Sequence, residues 1–243
     1  MQRTALRVSN LPATDLTDAR EAELFDGLAD ALPNLRMREL FRLRGNLFRE
    51  VDLITVAESE KDGEVVGVLA SQWSELDDGV RFLHVTSQFV GDHWRQAGVF
   101  RASWSAHLRE LSLGLGFPPI IALKTYNPVV FCAMRTLGRF TDVSFYPTIT
   151  GAPADPGSTE LACRIAEEIS PRHPFDPVTG VISGIGVPRD LYPALPRSSD
   201  AGVNAFFARA TKPGDRVLCL LNVPTRRAVQ TVMRLFDRGV PAT

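Results

Sequence analysis

The sequence predicts an α/β protein: a mixed, mostly antiparallel sheet flanked by helices, with a C-terminal extension. Three observations predict it. Three β-branched, apolar runs follow one another between residues 50 and 90, and only short polar turns separate them. That is a meander, not a set of crossovers. Beyond it, helix-period and strand-period segments alternate, which implies a strand–helix–strand unit. Two helical stretches precede the meander.

The first helix spans 16–32, "LTDAREAELFDGLADAL". Thr17 stands at its cap, Glu21 follows four residues on, and Leu24, Leu28 and Leu32 make one stripe before Pro33-Asn34 stops it. A shorter helical piece covers 35–48 and breaks near Gly45-Asn46. Residues 50–59 and 64–73 form a hairpin about the Asp-Gly turn at 60–64, and "ELDDG" at 75–79 leads into a third strand over 80–90. A helix over about 95–113 carries Phe100, Trp104, Leu108, Leu111 and Leu115 on one stripe. A strand at 117–126 then enters a helix at 127–140, with Asn127 as N-cap, Pro128 in the first turn and Gly138 at the end. Later, 158–169 reads as a helix, 179–188 and 216–224 as strands, 188–202 as a Pro-rich irregular loop, and 225–239 as a basic amphipathic helix. That last helix packs by Val229, Val232, Met233 and Phe236; a membrane-surface role is the alternative.

The bulk numbers exclude several classes. The chain has 243 residues, a length for one large domain or one domain with an extension; the boundary is expected near 150, with 1–150 as core and 151–243 completing the sheet. A net charge of -1 gives no footprint for nucleic acid. Cys132, Cys163 and Cys219 are an odd, scattered set, so a disulfide framework is not expected and a reduced compartment is. The start shows no apolar signal region and no run approaches a membrane span, so a cytoplasmic protein is expected. Four histidines at 84, 93, 107 and 173 lack ligand spacing, and no metal is expected. Lys61, Lys124 and Lys212 are the only lysines among the cations, a bias that suits a high-GC, bacterial genome.

The most informative stretch is "FVGDHWRQAGVFRASW", 89–104, where a strand hands the chain to a helix. A helix start presents unpaired N–H groups and partial positive charge. A glycine there lets a diphosphate approach the backbone. Arg95, Gln96, Ala97, Gly98, Val99 and Phe100 supply both features, with Val90 and Trp94 leading in.

This junction and the element order resemble the GNAT acetyltransferase superfamily. Its linking pattern runs Gln or Arg, two variable residues, Gly, one variable residue, then Gly or Ala. Arg95 and Gly98 match; Phe100 departs, and either turns into the apolar stripe or narrows the site. Asn127 and Gly138 also have the family's Asn-to-Gly spacing, eleven residues. The family's tyrosine acid, seven residues after that Asn, is Met134 here, which cannot donate a proton. The resemblance implies an acyl-CoA-dependent N-acyltransferase, most simply moving acetyl from acetyl-CoA to a primary amine of a small molecule. It implies that Ser87, Gln88, Phe89 and Val90 grip the pantetheine arm, and that Arg95 to Phe100 with Asn127 complete the cofactor site. The alternatives are another acyl-CoA or a phosphopantetheine thioester on a carrier protein, or a non-catalytic partner subunit. Oligomeric state stays open.

Candidates for proton transfer follow. On the third strand Phe82, His84, Thr86, Gln88 and Val90 share one face. Polar groups there need partners if buried. His84 is the first candidate for general base, with a hydrogen-bonded structural histidine as the alternative. Glu58, Glu75 and Asp52 are further bases at strand ends, or solvated turn residues. Asp92 and His93 flank the glycine corner. Tyr126 is the candidate to replace the missing acid, with Tyr146 behind it. Cys132 is expected to be an inert thiol.

Overall fold

The structure, a computed structural model, describes residues 5–95, 97–140, 142–149 and 155–237. Its described residues form nine strands and seven α-helices, in mostly antiparallel sheet. The chain divides into two compact units: 1–73, 85–118 and 229–243 make one, and 74–84 with 119–228 the other. The division is therefore interleaved.

In the first unit the strands run β1 (Leu6–Pro12), β2 (Leu53–Ser59), β3 (Val65–Glu75) and β4 (Arg81–Val90), neighbours in that order. β1 pairs β2 antiparallel with Asn10 opposite Thr55, and β2 pairs β3 with Leu53 opposite Ser71. The register slips at Ala57/Glu58, where β3 carries an extra residue, Val66. β1 is absent from the sequence reading. It is seven residues long, and Arg7, Ser9 and Asn10 break its apolar run, too weak an alternation to stand out beside the meander.

Two helix layers cover this sheet. α1 (Asp18–Ala31) is capped by Thr17, whose hydroxyl accepts from the Arg20 amide, as the sequence implies. Its Gly27 lies so close to β3 that a Cβ would stand 2.8 Å from Val65 Cβ. α2 (Met37–Leu43) is shorter than the 35–48 expected; Phe41 stacks on Phe25 and the chain turns from Arg44 on. α3 (Val99–Gly114) packs on β1 and β2 over the opposite face. Residues 229–237 of α7 (Arg226–Asp237) run alongside α3, with Phe236 stacked on Trp104.

In the second unit β5 (Ile120–Thr125) pairs β9 (Arg216–Asn222) antiparallel, and β6 (Ser144–Tyr146) pairs the far end of β9. β9 continues to β8 (Val181–Ile182) and β7 (Phe175–Asp176). Leu218, Leu220, Ile120 and Ile182 pack beneath α5 (Pro156–Ile169) through Ala162 and Ile165. The strand expected over 179–188 shrinks to two residues because Gly184, at φ 69°, turns the chain out of the sheet. α4 (Pro128–Leu137) begins as expected, with Asn127 Oδ1 accepting from the Val129 amide. It ends at Gly138, where a side chain would collide with Phe145 Cβ at 2.3 Å. The Pro-rich loop leads into α6 (Ala201–Ala210), a helix missing from the sequence reading, capped by Asp200 through the Val203 amide. No described helix is long and apolar enough to cross a membrane.

Candidate functional site

The glycine corner forms inside the first unit. β4 ends at Val90, and a single 3-10 turn, Asp92–Trp94, follows Gly91. Gly91 is held to Val66, its amide donating to that carbonyl at 2.8 Å, and a Cβ on Gly91 would press on Ala31 at 3.1 Å. This fixes where the chain leaves the sheet. Gly98 is then the N-cap of α3 at φ 88°, ψ 1°, a left-handed conformation that an L side chain resists. Among the described residues no side chain caps the helix, and none lies within 4 Å of where a Cβ on Gly98 would stand. The first N–H groups of α3 have no intrahelical partner at this start. Val99 behind it is buried against Gly67, whose Cβ would lie 2.7 Å from Val99 Cγ1.

Phe100 turns away from the corner. Its ring lies 6.2 Å from Trp104 and 6.1 Å from Phe236, so it belongs to the α3–α7 seam. Phe100 therefore does not cover Gly98. Arg95, which is exposed, bonds the carboxylate of Asp92; Asp92 also accepts from Asn34 Nδ2 at 2.8 Å. Ala97 is exposed beside Gly98. Gln96 lies outside the described residues. On β4, Ser87 is buried, while Gln88, Phe89 and Val90 are half-buried.

Glu58 sits elsewhere. On β2 it is bonded at 2.6 Å by Arg7 of β1 and at 2.6 Å by Arg20 of α1. Burial works against its charge, but the two guanidiniums prevail and hold the carboxyl below its usual range. Both oxygens are committed to ion pairs, so the residue pins β1 and α1 to β2 and does not fit a base. Asp52 accepts the Trp73 amide at 2.6 Å, and Glu75 lies on the surface near Arg81. His93 is exposed in the 3-10 turn.

The second unit holds the other candidates. His84, at the start of β4, is buried. Tyr126 is buried at the end of β5, 5.9 Å from the Tyr192 ring and 5.6 Å from the Arg216 guanidinium carbon. Tyr146 donates to the Pro177 carbonyl at 2.7 Å, and burial pushes its pKa up, so its proton is held in structure. Met134 is buried. Cys132 is half-buried on α4, and burial pushes the Cys219 thiol up. Among the described residues no group of three metal-ligating side chains gathers.

A buried relay in the first unit escapes the sequence reading. His107 on α3 is fully buried between Thr55 and Ser71, with Nδ1 and Nε2 each 2.7 Å from a hydroxyl. Thr55 Oγ1 donates to Asn10 Oδ1 at 2.6 Å, and Asn10 Nδ2 faces the Ala106 carbonyl and Glu110. Both are acceptors, which fixes the Asn10 amide. Thr55 has spent its proton, so it accepts from Nδ1–H, and Ser71 donates to Nε2. One neutral tautomer satisfies every group, and burial alone lowers the pKa of His107 to about 3. The usable signal was Thr55 and Ser71, polar positions in otherwise apolar strands, above a helix carrying Val99, Ser103 and His107 at four-residue spacing.

No protein-family model matches the sequence, and no curated protein does. Solved structures offer partial likenesses. The GNAT family N-acetyltransferase YhbS from Escherichia coli, in complex with CoA, is 18% identical at a TM-score of 0.35, covering 49% of this chain. The chain spans 63% of the length of that protein. An aminoglycoside acetyltransferase, HMB0005, from an uncultured soil metagenomic sample is 20% identical over 46% of this chain and 75% of its own, at a TM-score of 0.36. Escherichia coli ElaA is 12% identical over 63% of this chain and 95% of its own, at a TM-score of 0.44. Over about half of its length, then, the chain is similar to structures described as GNAT N-acetyltransferases.

Proposed function

We propose that the chain is an acyl-CoA-dependent N-acyltransferase, moving an acyl group, most simply acetyl, onto a primary amine of a small molecule. The observation that carries this reading is Gly98: a left-handed helix start three residues after Arg95, with no capping side chain among the described residues and none of their atoms within 4 Å of where its Cβ would stand. Backbone N–H groups and the helix dipole at such a start favour a diphosphate. A bound acyl-CoA supplies a thioester carbonyl for an amine to attack. The N–H groups of the first turn of α3 hold the anionic end, and Arg95 adds charge by exchanging Asp92 for phosphate. His84 is the group we assign to take the amine proton, directly or through water. Tyr126 is assigned to protonate the leaving sulfur, a task Met134 cannot perform. Catalysis is then mainly positioning.

A thermal-shift titration with acetyl-CoA tests the reading. Binding to the folded state raises the melting temperature by mass action, about 2.7 kcal/mol at a hundredfold excess over Kd. His84→Ala and Tyr126→Phe slow turnover with a panel of amines while acetyl-CoA affinity holds. Unchanged turnover removes both from the mechanism. A second reading, a corner repurposed for another or no reaction, is favoured by the Arg95–Asp92 pair, which neutralises the nearest cation. No shift at millimolar acetyl-CoA selects it.

A further inference from the structure

Tyr126 stands one position beyond β5. In the antiparallel pairing of β5 with β9, Thr125 lies opposite Val217, so the next pair outwards is Tyr126 and Arg216. The Arg216 guanidinium carbon is 5.6 Å from the centre of the Tyr126 ring, within the range at which a cation is attracted to an aromatic face. Tyr192, from the Pro-rich loop, meets the same ring with centroids 5.9 Å apart.

The guanidinium is held in a place shaped for it. Its Nη1 donates to the Asp215 carbonyl at 2.7 Å. Gly186 comes so close that a Cβ there would stand 2.3 Å from Nη1 and 2.4 Å from Cζ and Nη2. Any other residue at 186 would have to displace the guanidinium. Gly186 is itself fixed, since its amide donates to the Gly214 carbonyl at 2.6 Å. The Asp215 carboxylate accepts from the amides of Gly184 and Lys212, each at 2.9 Å, and so ties 184–186 to the turn before β9. A long side chain loses much rotamer freedom when it is fixed in this way. What the fixing achieves is a permanent cation against one phenol ring.

We propose that Arg216 is a positioning residue for Tyr126, holding its ring in place and stabilising the anion it becomes on giving up its proton. This rests on the assignment of Tyr126 as the acid in the acyl-CoA reading. In that step Tyr126 gives its hydroxyl proton to the leaving sulfur. The O–H bond breaks, an S–H bond forms, and solvent reprotonates the phenolate. A cation fixed before the reaction stabilises that charge without having to reorganise.

Steady-state kinetics on the intact chain test it, following thiol release from acetyl-CoA with spermidine, benzylamine and glycinamide as acceptors. Arg216→Met lowers kcat about tenfold and leaves the KM for acetyl-CoA unchanged. In a Tyr126→Phe background the same change costs nothing further, because a residue that acts through the hydroxyl has nothing left to act on. Arg216→Lys keeps a cation near the ring and retains more activity than Arg216→Met. Gly186→Ala reproduces Arg216→Met although the charge is still present. Equal losses from Arg216→Met in both backgrounds, or a loss carried by KM, overturn the proposal, make Arg216 a fastener of 184–186 and leave the acyl-CoA reading standing. Tyr126→Phe at wild-type turnover overturns the acid assignment and this proposal with it. Absence of thiol release by wild type overturns the acyl-CoA reading and the proposal together.

Discussion

Lowering the pH from 7.5 to 5 should cost this protein stability through one residue, His107. Its ring is sealed between Thr55 and Ser71 and stays neutral in the fold, with a pKa lowered from 6.5 to about 3. In the unfolded chain it titrates near the ordinary value. Between those values the unfolded state binds more protons, so stability is complete above about 6.5 and is lost as pH falls towards 3. At pH 5 the loss is ~2 kcal/mol, and near pH 3 it reaches ~4 kcal/mol. Carboxylates add their own acid sensitivity, so the comparison needs a variant that cannot titrate. His107→Gln keeps an amide in the seam and removes the charge. It mismatches at least one hydroxyl and starts ~1–3 kcal/mol less stable at pH 7.5. Urea unfolding followed by circular dichroism at pH 7.5, 6 and 5 reads the difference. The gap between wild type and variant should narrow by ~2 kcal/mol at pH 5, because only wild type loses the His107 contribution. Parallel decline of the two proteins would show that His107 titrates normally in the fold, and would refute the neutral relay.

Two further perturbations probe what positions the corner. Glu58→Gln leaves Arg7 and Arg20 without their shared carboxylate, and should cost about 2 kcal/mol at pH 7 in denaturant unfolding. Because the Glu58 pKa is lowered by folding, that loss should shrink as pH falls through and below the ordinary carboxylate range; a loss that does not shrink counts against the pairing. Gly67→Ala puts a methyl 2.7 Å from Val99 Cγ1 and 3.1 Å from the Phe89 carbonyl, tighter than packing allows. We expect about 1–3 kcal/mol of destabilisation and weaker acetyl-CoA binding, since the start of α3 must move; an unperturbed melting curve would place α3 elsewhere.

The sequence was most legible where short-range chemistry decides the structure. Thr17 and Asn127 cap their helices because a side-chain oxygen reaches an amide two or three residues away, a geometry set within one turn. The meander was readable because β-branched runs and turn residues alternate. Long-range pairing was not. β1 exists because β2 offers it a partner more than forty residues away, and its own residues carry little strand signal. α6 follows a Pro-rich loop that masks it, although Asp200 stands where a cap belongs. Of the site, the glycine corner was visible as spacing. The fate of Phe100 depended on Phe236 and so on the final helix, far along the chain. Glu58 looked like a strand-end base until Arg7 and Arg20 converged on it from two other elements. Nothing local marks His107, because its partners Thr55 and Ser71 lie on separate strands.

In the proposed function the main-chain amides opening α3 receive a diphosphate. Nitrogen–proton correlation spectra recorded while adenosine 3′,5′-bisphosphate is added test it most directly. The amides of Gly98, Val99 and Phe100 should move most, saturably, and Gly98→Val should abolish the movement. Saturable binding that leaves those three resonances in place and shifts another region would contradict it.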